Sequence, residues 1–132
     1  MKILLDTQIL LWSVARSEHL SEQARQLITD KENEIYFSPA SLWEVTIKNS
    51  LNHPDFQVDA RISRRRPLNS DYHEIAITGL HATAVGDLPP LHKDPFDRLL
   101  LAQAKAEGLS LLTTNAALSA YPAPVLQVRK SG

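Results

Sequence analysis

The sequence contains no cysteine, which excludes disulfide cross-links and thiolate metal sites. A cysteine-free chain suits a reducing compartment, so a cytoplasmic protein is expected. Glycine is scarce as well: the four residues are scattered, and no glycine-rich phosphate loop is present. Long apolar runs are missing. Asp6 interrupts Ile3-Leu4-Leu5 far short of a signal-peptide core, and no later run approaches a membrane span, so no membrane partner is expected. There is also no excess charge of one sign. Fourteen basic against fifteen acidic residues give a net −1, so any contact with nucleic acid must come from a local patch. The densest cationic run is Arg61, Arg64, Arg65 and Arg66, which reads equally well as a solvated helix end.

A chain of 132 residues with 43% apolar and 22% charged residues suits one globular domain spanning 1–132. Short apolar segments read as strands at 3–5, 34–37, 73–77, 109–113 and 125–128. Helical patterns cover 8–15, 20–31, 57–66 (stopped by Pro67) and 80–85. Ser38 and Pro39 form an N-cap and first helical residue for a helix running to about Leu51. Asp94 and Pro95 open another, which Gly108 closes. Strands alternating with helices predict an α/β fold with a mainly parallel sheet covered on both faces. In such sheets ligands collect beyond the carboxyl ends of the strands.

Several acids fall there. Asp6 ends the first strand, Glu44 lies in the second turn of the helix after the second strand, and Asp94 and Asp97 start the long helix. Asn115 follows the strand that ends at Thr113. A doubly wound sheet would draw these groups to one edge. Clustered carboxylates repel and are costly to desolvate. Divalent cations would neutralise them, and hard oxygen donors suit Mg²⁺ or Mn²⁺. Such ions bind phosphate oxygens and activate water, which points to metal-assisted phosphodiester hydrolysis.

Each acid also has a structural reading. Asp94 and Asp97 suit a helix cap. Glu44 and Lys48, four apart, suit a surface ion pair. A carboxylate closing a buried strand, as Asp6 does, needs a partner. His53, His73, His81 and His92 lack helical metal spacing and read as surface or packing residues. Trp12 and Trp43 lie within apolar runs, which favours the core over base stacking. Arg98, beside Asp97, reads as a phosphate clamp or an ion-pair partner. Gln8 stands where a haloacid-dehalogenase-type phosphatase needs a second aspartate.

Leu5-Asp6-Thr7 with Leu10-Leu11-Trp12 resembles the opening motif of PIN domains, in the branch related to VapC-type toxins. Ser38-Pro39-Ala40-Ser41-Leu42-Trp43-Glu44-Val45 resembles that branch's second motif, and His92-Lys93-Asp94-Pro95-Phe96-Asp97-Arg98-Leu99-Leu100 its third. Leu111-Leu112-Thr113-Thr114-Asn115 is similar to the fourth. The resemblance implies a three-layer α/β/α fold and an Mg²⁺- or Mn²⁺-dependent endoribonuclease, for which single-stranded or looped RNA is expected because its phosphates and bases are accessible. Its products would carry a 5′-phosphate and a 3′-hydroxyl. Asp6, Glu44 and Asp97 take the metal-ligand positions, and Asp94 is an additional acid of the branch. Asn115 replaces a common aspartate, Gln8 stands where asparagine or histidine is frequent, and Thr7 and Thr113 are placed to hold ligands or water. The resemblance further implies a cognate antitoxin as partner and a two-fold homodimer. The loss of charge at Asn115 leaves open a catalytically weak PIN domain that binds RNA or protein.

Overall fold

Five short strands form one parallel sheet in the computed structural model, which describes residues 1–131. They are β1 (Lys2–Leu5), β2 (Glu34–Phe37), β3 (His73–Glu74), β4 (Ser110–Thr113) and β5 (Val125–Gln127), in the order β3-β2-β1-β4-β5. Both faces are covered, and the alternation along the central strands shows how. Ile3, Leu5 and Leu112 point into one buried cluster, whereas Leu4 and Leu111 point into the other. On the first side lie α1 (Thr7–Ala15), through Ile9 and Leu10, and α2 (Glu22–Thr29), through Ala24. On the second lies α6 (Pro95–Glu107), through Leu100, Leu101 and Ala104, with α5 (Gly79–Ala84) beside it. The expected three-layer α/β/α architecture with a parallel central sheet is the one formed.

Local chemistry sets most boundaries. Asp6, Ser21, Ser38, Asp59, Thr78 and Asp94 each cap the helix that follows, accepting from a backbone N–H two or three residues on. Ser38 thereby starts α3 (Pro39–Ser50), and Asp59 starts α4 (Ala60–Asn69). Gly108, at φ 68°, ends α6 in the left-handed region where glycine carries no Cβ penalty.

Two expectations are corrected. Pro67 does not stop α4, because one missing N–H near the end of a helix costs a single bond. The turn instead closes through Ser70 N–H to the Arg66 and Pro67 carbonyls. The third strand is shorter than 73–77. Ile75 still donates to the Phe37 carbonyl at 2.9 Å, but Ala76 and Ile77 are exposed and have no sheet neighbour to extend. No helix among the described residues is long and apolar enough to cross a membrane.

The strand order reverses between β1 and β4. At such a switch point the loops leave in opposite directions and open a crevice at the carboxyl ends. Asp6 follows β1 and Thr113 ends β4, so both stand at that crevice.

Candidate active site

A cavity of about 240 Å³ lies at this crevice, and its walls include Asp6, Glu44, Asp94, Asp97 and Asn115. The five candidate residues thus converge from four separate stretches of sequence. The acids arrive on helix starts: Asp6 caps α1, Glu44 sits in the second turn of α3, Asp94 caps α6 and Asp97 lies in its first turn. A helix start favours negative charge in its first turn.

Hydroxyl groups fix two of the carboxylates. Thr113 donates to Asp6 Oδ2 at 2.5 Å and accepts from the Asn115 N–H at 3.0 Å. The Ile9 N–H donates to Asp6 Oδ1 at 2.8 Å. Thr7 donates to Glu44 Oε1 at 2.6 Å, with its oxygen 3.0 Å from Ser41 Oγ. Lys48 Nζ lies 2.5 Å from the other Glu44 oxygen. The expected ion pair between Glu44 and Lys48 therefore forms, but it is no surface pair: Glu44 is only 4% exposed.

Burial governs the protonation of the acids. It pushes the Asp6 carboxyl up to about 7, against the lowering bonds from Thr113 and Ile9, and the nearby charges of Asp97 and Glu44 add to the rise. Asp97 is pushed up to about 6, chiefly by burial and then by Asp94, while its contact with His92 pulls the other way. Carboxylates held this close in a partly dry cavity are short of positive charge. Lys48 answers only for one oxygen of Glu44. The donor set is dominated by carboxylate oxygen, so it fits a hard divalent cation.

His92 was not legible as a site residue. Its Nε2 lies 3.0 Å from Asp97 Oδ2, and it shares a cluster with Asp94 and Asp97 in which one donor atom from each lies within 4.8 Å of the others. No helical spacing announces it, because a loop delivers it. Arg98 explains that loop and overturns both readings given to it. Its guanidinium turns from the acids and donates to the carbonyls of Val85, Leu88 and Pro89 at 3.0 to 3.3 Å and to Tyr121 Oη at 3.1 Å. Arg98 is a staple for the segment before α6.

Asn115 lines the cavity, but its amide oxygen accepts from the Ala117 N–H at 3.0 Å as a cap. Trp43 is 60% exposed rather than in the core and stands edge-on to Phe96 at 5.3 Å. Trp12 is half-buried against His19, with Lys130 over its ring. The four arginines at 61 and 64–66 lie on the exposed face of α4, outside the cavity, and Arg64 is paired with Glu74.

Comparison with solved structures gives the same architecture. One protein in the crystal structure of VapBC2 from Rickettsia felis, bound to a DNA fragment from its promoter, is 18% identical. The match covers 97% of this chain and 99% of that one, with a TM-score of 0.69. A chain of a toxin–antitoxin complex from Klebsiella pneumoniae is 22% identical, over 95% and 96% of the two chains, at a TM-score of 0.62. VapC20 of Mycobacterium tuberculosis, described as a toxin that cleaves the sarcin-ricin loop, is 19% identical over 96% and 98%, at 0.61. At these identities the likeness is one of fold. No curated protein matches the sequence. The PIN domain family model matches residues 3–124, nearly the whole length, and the chain belongs to the PIN domain family.

Proposed function

We propose that this chain is a metal-dependent endoribonuclease and the toxin of a type II toxin–antitoxin pair. The observation that carries the reading is the convergence of Asp6, Glu44, Asp94 and Asp97 on one cavity, with burial raising the pKa of Asp6 and Asp97. Raised acids that line an open cavity are poorly neutralised by the protein itself, and a cation resolves the conflict. Asp6, Glu44 and Asp97 would hold Mg²⁺ or Mn²⁺, with Asp94 alongside. Bound there, the ion polarises a phosphoryl oxygen and makes water a better nucleophile.

The chain's own groups do the rest. Thr113 and the Ile9 N–H hold Asp6 in one rotamer facing the cavity. Thr7 does the same for Glu44. Asp6 and Asp97 give up their protons before acting as ligands, so ligation weakens as pH falls below about 6 to 7. Lys48, on the cavity wall, places its ammonium 2.5 Å from Glu44 Oε2 and favours an anionic backbone there. RNA as the substrate, and an antitoxin as the partner, are supported by the relatives of similar fold that are described in those terms. The exposed apolar side chains Trp43, Leu51 and Leu91 are candidates for a homodimer or antitoxin contact.

Cleavage of a labelled single-stranded RNA, with Mg²⁺, with Mn²⁺ and with chelator, tests the proposal. Metal-dependent product with a 5′-phosphate end is expected. Cleavage that survives chelation would falsify it. One observation favours the weaker reading of an RNA- or protein-binding module: the Asn115 amide brings no charge and is engaged as a cap. That reading expects RNA binding with no product under any metal.

A further inference from the structure

We infer that His92, with Asp94 and Asp97, forms a nitrogen-bearing corner of the site that ligates a divalent transition-metal ion, so that the chain binds Mn²⁺ in preference to Mg²⁺. The inference rests on the metal-dependent reading above and adds His92, the residue that opens the third motif, to the acids of that motif.

Three observations carry it. The first is donor geometry. One atom each from His92, Asp94 and Asp97 lies within 4.8 Å of the others, and His92 Nε2 is 3.0 Å from Asp97 Oδ2. Donors about 2.1 Å from a shared ion lie roughly 3 Å apart when adjacent and about 4.2 Å apart when opposite, so a small side-chain adjustment suffices. The second is available valence. Asp94 spends Oδ1 on the N–H groups of Phe96 and Asp97, at 2.9 and 3.1 Å, which leaves its second oxygen to bind. His92 and Asp97 keep 26% and 19% of their side-chain surface, so an ion can reach them from solvent.

The third is that the loop is built. Arg98 ties down the carbonyls of Val85, Leu88 and Pro89, and Tyr121 Oη, itself bonded to Arg98, lies 3.4 Å from the His92 carbonyl. The Tyr121 contact holds the His92 backbone and the Asp97 contact holds its ring beside the acids, which lowers the ordering cost of ligation. When no ion is present Nε2 faces Asp97 across a hydrogen bond. To ligate an ion through Nε2, the neutral ring would carry its hydrogen on Nδ1 and give the Nε2 lone pair to the metal.

The metal preference follows from the donor. Mg²⁺ demands oxygen ligands and keeps its waters, so an imidazole adds little to its binding. Mn²⁺ accepts a nitrogen donor more readily, because it is the softer ion.

The test is pulsed electron paramagnetic resonance on Mn²⁺ bound to the full chain, prepared once with ordinary histidine and once with ¹⁵N-histidine. A nitrogen coupling of directly ligated imidazole that changes on ¹⁵N labelling is expected, and it disappears in His92→Gln. Calorimetric titration of the same variant is expected to show Mn²⁺ affinity lowered by about tenfold and Mg²⁺ affinity by less than about threefold. The labelled parent answers even if the variant folds poorly. Mn²⁺ bound without nitrogen coupling overturns the inference and leaves the acid site standing as a metal site. A coupling that persists in His92→Gln also overturns it and assigns the nitrogen to His53, on the same cavity. Failure of the parent to bind Mn²⁺ at all overturns both the inference and the metal-dependent reading.

Discussion

Thr113 spends its one hydroxyl hydrogen on Asp6 and accepts from the Asn115 N–H, so a single side chain orients a buried acid and the turn after β4. Thr113→Val keeps the shape and removes both bonds. The buried carboxylate then rises further in pKa, and chemical denaturation is expected to show a loss of about 1–3 kcal/mol. Cleavage and metal affinity fall with it. Equal stability of the valine variant would mean that the short contact is not worth a hydrogen bond. Asp94 and Asp97, three residues apart, separate in the opposite way. Asp94→Ala removes the cap from Phe96 and Asp97 and is expected to cost about 1 kcal/mol in denaturant melts. Asp97→Asn removes a carboxylate that burial and Asp94 both disfavour. It is expected to leave stability unchanged or higher while cleavage drops to background. An active Asp97→Asn enzyme contradicts its role as a ligand.

Among the elements, those built on local chemistry were legible in the sequence. Ser38-Pro39, Asp94-Pro95 and Gly108 each state a helix boundary in their own side-chain or backbone chemistry, and the boundaries fall there. The buried strands were legible because β1, β2 and β4 are short apolar runs. What depends on distant partners was not. The segment from Val85 to His92 has no periodicity, and its shape comes from Arg98 and Tyr121, the latter 29 residues beyond His92 in sequence. From sequence, Arg98 therefore reads as a phosphate clamp or an ion-pair partner, and His92 as a surface or packing residue. Trp43 looked like core because its neighbours are apolar, yet α3 turns it outward beside Phe96. Arg98→Lys tests the staple. One ammonium cannot span three carbonyls and a phenol, so a loss of about 2 kcal/mol is expected. Hydrogen exchange is expected to quicken in the 85–93 segment while β1 stays protected. Unchanged exchange there would show that the loop holds itself.

For the molecule as a whole, the acid cluster trades stability for a site. Asp6 and Asp97 have folded values of about 7 and about 6, against 3.8 for a free aspartate. From about pH 4 to 7 the folded chain therefore binds more protons at these groups than the unfolded chain. Their contribution is fully present below about pH 4 and is lost as pH rises through 6 and 7. The chelated protein is expected to melt at a lower temperature at about pH 8 than at about pH 5.5. Saturating Mn²⁺ or Mg²⁺ is expected to raise the melting temperature at the higher pH, and by less at the lower, where protons compete. A thermal scan in which metal gives no shift at either pH argues against a shared cation site. The parallel sheet and its covering layers are readable from strands that alternate with helices, and a doubly wound topology is what draws Asp6 and Asp97 to the same edge. The most direct measurement of the central claim is RNA cleavage by the parent and by Asp6→Asn, at matched folded fraction, in Mn²⁺ or Mg²⁺. The account predicts product from the parent that depends on metal, and none from a variant that is folded and at least as stable when chelated. Undiminished cleavage by Asp6→Asn would contradict it.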